Sequence, residues 1–264
     1  MGKTTVSAFA KRRGAGEKLV MITAGSAAES AAAYAAGIDL ILVGDSLGMT
    51  MLGYDSTLPV TMEMMLHHAA AVRRGAPDAF VIFDMPFMSY QTGIGDAVRN
   101  AGRALQEAGS DAVKLEGGTD PELIRQLVAS GIPVLGHLGL LPQRIQTIGA
   151  YRIVGRDEAA AEELIAEALA LEAAGAFAVV LECVPEELGR RVTETLHIPT
   201  IGIGSGAACS GQVQVLYDTL GLSARTPKHA KRFAELGETM RAALAAYAAE
   251  VKNGTFPAAE NTFK

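Results

Sequence analysis

The chain has 264 residues, 49% of them hydrophobic and 20% charged, no tryptophan and a formal net charge of -6. That size and composition suit one well-packed domain over residues 1–264 rather than a disordered chain. An acidic balance with no basic stripe excludes nucleic acid and anionic membrane surfaces as natural partners and points to small molecules. Cys183 and Cys209 form neither a CxxC pair nor a disulfide framework, and no signal-peptide core or long apolar run is present, so a reduced, cytoplasmic protein is expected.

In chain order, Gly2-Lys3-Thr4-Thr5 has the look of a P-loop tail, but it lacks the upstream strand and glycine and reads as a chain end. Short apolar runs then alternate with amphipathic segments. Strands are expected over 19–24, 40–45, 80–84, 112–116, 133–138, 178–182, 200–204 and 213–217, with helices over 27–37, 61–74, 94–109, 120–131, 157–175 and 186–196. The crossover between the last two strands is too short for a helix. A long C-terminal helix is expected from Pro227 to about Val251, ended by Asn253-Gly254. Eight strands in a βα alternation predict a TIM-type (β/α)8 barrel, an α/β fold.

In such a barrel the active site lies at the C-terminal strand ends. Those ends are polar here: Asp45-Ser46, Asp84, Lys114 with Glu116, His137, Glu182, Ser205 and Asp218. Asp45, Asp84 and Glu116, on successive strands, form an oxygen-donor set suited to a hard divalent cation, Mg2+ before others by ligand type; each taken alone also reads as a helix N-cap. Lys114 and Glu116 are two residues apart and share a face, so both enter the site or neither does. His137 is a candidate donor to a substrate oxygen, or a satisfied core histidine. Glu182 has the apolar neighbours of a general base, and Cys183 beside it reads as packing. The glycine-rich stretch 202–211 fits an anion cradle or close backbone approach equally well.

Gly44-Asp45-Ser46-Leu47 also matches the nucleophile box of GDSL esterases, which need an Asp-x-x-His near the C-terminus to activate the serine. The late histidine, His229, has no aspartate three residues before it. The hydrolase reading is therefore set aside.

Eight ordered stretches, "VGDSLGM", "GYDSTLPVT", "HHAAAVRRGAP", "DMPFMSY", "KLEGG", "GHLGLLPQ", "LALEAAGAFAVVLECVP" and "IPTIGIGSG", together resemble the ketopantoate hydroxymethyltransferase family, nearly end to end. That family belongs with the phosphoenolpyruvate mutase and isocitrate lyase barrels. The resemblance implies transfer of a hydroxymethyl group from 5,10-methylenetetrahydrofolate to 3-methyl-2-oxobutanoate, giving 2-dehydropantoate for pantothenate synthesis through a Mg2+-stabilised enolate. It further implies Mg2+ on Asp45 and Asp84 with Glu116 reaching it through water, substrate on Ser46, Lys114 and His137, Glu182 as the base, and a homodecamer. Three places depart from the family pattern: Gly25-Ser26 stands for Tyr-Asp, Ser210 for Asp, and Tyr217 for His. They touch the rim, which keeps open a paralogue running another Mg2+-dependent aldol or carbon–carbon lyase step on a 2-oxo acid, and a catalytically silent barrel.

Overall fold

A computed structural model describes residues 4–117 and 120–263; the start of the P-loop-like stretch, Gly2-Lys3, lies outside them. The chain divides into two compact units, Met1–Val215 and Leu216–Lys264. In chain order the first holds α1 (Val6–Gly14), β1 (Leu19–Thr23), α2 (Ala27–Ala35), β2 (Leu40–Val43), α3 (Leu47–Thr50), α4 (Met62–Gly75), β3 (Phe80–Asp84), α5 (Ile94–Gln106), β4 (Ala112–Glu116), α6 (Pro121–Ala129), β5 (Val134–Gly139), a 3-10 turn (Pro142–Arg144), α7 (Ile145–Ile148), α8 (Glu158–Ala173), β6 (Ala178–Glu182), α9 (Glu186–Thr195), β7 (Thr200–Ile203) and β8 (Gly211–Gln214). The second holds α10 (Leu216–Thr219) and α11 (Leu236–Asn253). All eight strands run parallel and close, β8 pairing with β1. The (β/α)8 expectation is met.

Alternation along the strands decides what fills the barrel. Leu40 and Leu42, Phe80 and Ile82, Ala112, Leu135, Ala178 and Val180 all belong to one buried interior cluster. Because side chains alternate with period two, the same parity carried forward points Asp84, Lys114, Glu116, His137 and Glu182 inward at the C-terminal end. Apolar residues thus fill the lower layers and charge the top one. Phe9 of α1, which the sequence reading did not assign to a helix, packs into the same cluster, its ring edge-on to Phe80 at 5.0 Å.

Two segments differ from expectation. The eighth strand ends at Gln214, and Tyr217 and Asp218 lie in the short helix α10, so neither ends a barrel strand. The final helix starts at Leu236, not at Pro227. Before it, the N–H groups of Phe233 and Leu236 donate back to the carbonyls of Thr219 and Leu220, a pairing incompatible with a helix begun at 227.

Gly139, at φ +93°, allows β5 and β6 to end together: a Cβ there would sit 2.2 Å from the Glu182 carbonyl oxygen and 2.9 Å from Val184 Cγ1. Gly139→Ala is therefore expected to lose about 1–3 kcal/mol from backbone strain, together with activity, because Glu182 must move. Phe9→Ala should lose about 3–5 kcal/mol from the cavity left in the barrel floor, leaving the rim intact. Urea unfolding monitored by circular dichroism, beside an activity assay, checks both.

Candidate active site

The strand register aligns the charged residues. Asp84 lies opposite Lys114, Glu116 opposite His137, and Gly139 opposite Glu182. Lys114 Nζ donates to Asp84 Oδ1 at 2.7 Å and stands 3.9 Å from Glu116 Oε1. Asp45 follows β2 and reaches the same layer, its backbone N–H donating to Asp84 Oδ2 at 3.2 Å. Gly44 makes room for this: a Cβ there would lie 3.0 Å from Ser46 Oγ and 3.8 Å from Asp84 Oδ2. His137 Nε2 is 3.1 Å from Glu182 Oε2 and its Nδ1 is 3.6 Å from Glu116 Oε1, although neither contact is aligned as a hydrogen bond. Lys114 and Glu116 both turn inward, which settles the face they share.

These groups are out of water, and their proton affinities respond. Burial, then the charge of Asp84, pushes the Asp45 carboxyl well above the usual carboxylate range against the pull of Lys114. Burial also raises Asp84, opposed by Lys114. For Glu116 burial acts upward, but His137 and Lys114 outweigh it and the carboxyl falls. Burial opposes charge on Lys114, yet Asp84, Glu116 and Asp45 keep its pKa above normal. Burial and Lys114 disfavour a charged His137, and the contacts with Glu116 and Glu182 overturn this, lifting the imidazole to about 9. Glu182 is only partly buried, its side chain 16% exposed, and His137 makes its setting polar on one side rather than wholly apolar.

The donor set bears on a cation. Asp45, Asp84 and Glu116 are buried with Lys114 and His137 beside them, and Glu182 stands at their edge next to His137. Among the described residues no three His, Cys, Asp or Glu side chains converge into a ready-made metal cage. Carboxylate oxygens of this kind suit a hard divalent ion held by one or two carboxylates and completed by water and substrate oxygens.

The sequence reading missed Gln143 and Tyr90. Gln143, in the turn after β5, is buried and hydrogen-bonds both Asp45 and Glu116. Tyr90 OH donates to Gln143 Oε1 at 2.8 Å, and burial raises the phenol's pKa. "GHLGLLPQ" and "DMPFMSY" contain both residues, but neither lies on a strand, so strand-end position does not single them out.

Other candidates fall outside the charged layer or have structural partners. Ser46 heads α3 half-buried, and among the described residues its hydroxyl makes no hydrogen bond to a histidine, which leaves nothing to activate it as an esterase nucleophile. Ser205 Oγ donates to the Leu181 carbonyl at 2.7 Å. Cys183 is half-buried, and burial pushes its thiol up to about 11, as for a packing residue. The 202–211 loop turns the carbonyls of Ala207 and Cys209 onto the Lys18 ammonium, the opposite polarity from an anion cradle. At Gly25 there is no open cavity: the site of a Cβ is 2.6 Å from Met51 Sδ, while Ser26 caps α2 by accepting from Glu29 N.

A sequence profile described as ketopantoate hydroxymethyltransferase matches residues 3–259. The chain is 52% identical to a 3-methyl-2-oxobutanoate hydroxymethyltransferase of Syntrophus aciditrophicus over 99% of its own length and 97% of that protein. It is 54% identical to the enzyme of the same name from Desulfotalea psychrophila, over 100% and 95%. The fold is similar to the crystal structure of 2,3-dimethylmalate lyase, a phosphoenolpyruvate mutase/isocitrate lyase superfamily member, with TM-score 0.62 and 18% identity over 94% of this chain and 88% of that one. The parallel barrel, the charged rim and the identity sustained along nearly the whole chain lead to one statement: this chain belongs to the ketopantoate hydroxymethyltransferase family.

Proposed function

We propose that the chain transfers a hydroxymethyl group from 5,10-methylenetetrahydrofolate to 3-methyl-2-oxobutanoate, giving 2-dehydropantoate on the route to pantothenate. One observation carries the reading: Asp45, Asp84 and Lys114 lie buried at the strand ends, and Glu182, the more exposed carboxylate, stands beside His137 on the same rim. In this reading Asp45 and Asp84 hold Mg2+, with Glu116 reaching it through water. The ion, when bound, supplies positive charge to the oxygens of a 2-oxo acid.

The residues of the chain do the rest. Ser46 and Lys114 orient the carboxylate and keto oxygens, and the ammonium opposes charge building on the keto oxygen. His137 lines the same pocket and holds Glu182 in place. Glu182 takes the C3 proton, and the C–H electron pair moves into the bond between C2 and C3. Water cleaves the donor's two C–N bonds, so that tetrahydrofolate leaves and the one-carbon unit is left at the formaldehyde level; C3 then bonds to that carbon while its C=O π pair moves to oxygen and takes up a proton, giving the hydroxymethyl group. Cys183 and Cys209 are not joined in a disulfide, which supports a reducing, cytoplasmic setting. No helix among those residues is long and apolar enough to cross a membrane.

We also propose self-association, as a homodecamer. Met240, Leu244, Tyr247 and Val251 on α11 are 56%, 60%, 55% and 46% exposed, an apolar stripe at helical spacing.

Glu182→Gln should slow C3 proton exchange of 3-methyl-2-oxobutanoate in D2O by roughly 10²-fold or more while the substrate still binds; chelation should abolish exchange and added Mg2+ restore it. Exchange without product in the presence of methylenetetrahydrofolate would instead assign another carbon–carbon bond reaction on a 2-oxo acid. Leu244→Glu should shift the protein to smaller assemblies in light scattering, and an unchanged mass would sink the role given to α11.

A further inference from the structure

The proposed cation reading needs Asp45 and Glu116 to present particular oxygens, yet each carboxylate has two. Gln143 touches both. Its backbone N–H donates to Glu116 Oε2 at 2.9 Å, and its side-chain Nε2 donates to Asp45 Oδ2 and to the Met85 carbonyl, each at 2.9 Å. Its Oε1 accepts from Tyr90 OH at 2.8 Å and from Gln91 Nε2 at 3.3 Å. The Met85 carbonyl fixes the orientation of the amide, because a carbonyl cannot donate to an oxygen placed where Nε2 lies. Tyr90 locks it further: its oxygen accepts from Glu116 N at 3.2 Å, and of the two acceptors its single proton can reach, Gln143 Oε1 at 2.8 Å is nearer than the Glu116 carbonyl at 3.4 Å.

We infer that Gln143, locked by Tyr90, is a positioning residue that ties down Asp45 Oδ2 and Glu116 Oε2 and leaves Asp45 Oδ1 and Glu116 Oε1 for the cation site. Glu116 Oε1 is the oxygen near Lys114 Nζ and His137 Nδ1, on the side of the charged layer. The backbone holds Gln143 firmly: Pro142 opens the 3-10 turn, Arg144 N closes it on the Leu141 carbonyl at 2.9 Å, and the Gln143 side chain is buried. Partners of metal ligands commonly control affinity by about 10–100-fold when removed. The inference rests on Asp45 and Asp84 holding the ion.

Mn2+ binding to the full-length protein, followed by electron paramagnetic resonance, separates the two ideas. Gln143→Met keeps the length of the side chain and removes both donor and acceptor; Tyr90→Phe removes only the lock. Expected are a Kd for Mn2+ weaker by about 10–100-fold in Gln143→Met and a smaller loss in Tyr90→Phe, with circular dichroism unchanged. The Mg2+ concentration for half-maximal C3 exchange should rise in parallel. Wild-type protein that does not bind Mn2+ would defeat the cation reading and this inference with it. Tight wild-type binding with an unchanged Kd in folded Gln143→Met would overturn the inference alone. If Gln143→Met does not fold, Tyr90→Phe decides by the same criterion, an unchanged Kd overturning it.

Discussion

Everything at the rim depends on the ion pair between Lys114 and Asp84, 2.7 Å long and almost wholly out of water. A buried charge without a partner is expensive, and removing one member of a buried pair typically costs about 3–5 kcal/mol. One ammonium nevertheless serves three buried carboxyl groups, Asp45, Asp84 and Glu116. His137 adds a second basic group beside Glu116. Apolar residues of the same size often pack in such a place at equal or lower cost.

The barrel supplies the means of concentrating them. Parallel pairing between β3 and β4, β4 and β5, and β5 and β6 sets Asp84 against Lys114, Glu116 against His137, and Gly139 against Glu182. Period-two alternation then turns all the charged members of these pairs inward above an apolar floor. The floor is closed from below by Phe9 and the rim is permitted by Gly139, so two residues without chemistry of their own determine whether the charged layer exists in the right geometry.

The rim also shows how family departures translate into structure. Gly25-Ser26 does not open a void, because Met51 sulfur occupies the space and Ser26 serves α2 as its cap. Tyr217 and Asp218 lie in α10, so the one departure there, Tyr217 for His, does not fall on a barrel strand. The charged residues on β3 to β6 stand apart from those changes.

Local pattern was enough to read most of the architecture: β3, β4 and β6 begin and end where their apolar runs do, and the polar residue ending each run is a site candidate because a barrel gathers strand ends. It failed where backbone partners are distant or the signal is weak. The stretch from Pro227 has helical periodicity, but its N–H groups are taken by Thr219 and Leu220, and α1 is too short and too basic to announce itself beside the barrel. Gln143 and Tyr90 were invisible for the same reason: their meaning lies in contacts spanning 98 and 53 residues of chain, Gln143 to Asp45 and Tyr90 to Gln143. The sequence by itself determined the eight-stranded barrel and the carboxylates and lysine at the strand ends, since these follow from periodicity and residue type, while the family rested on the resemblance of eight ordered stretches. Only the tertiary structure decided that Lys114 and Glu116 face inward, that His137 stands between Glu116 and Glu182, and that a loop glutamine holds two of the carboxylates, because facing and pairing arise from strand register and loop closure, which no local pattern encodes.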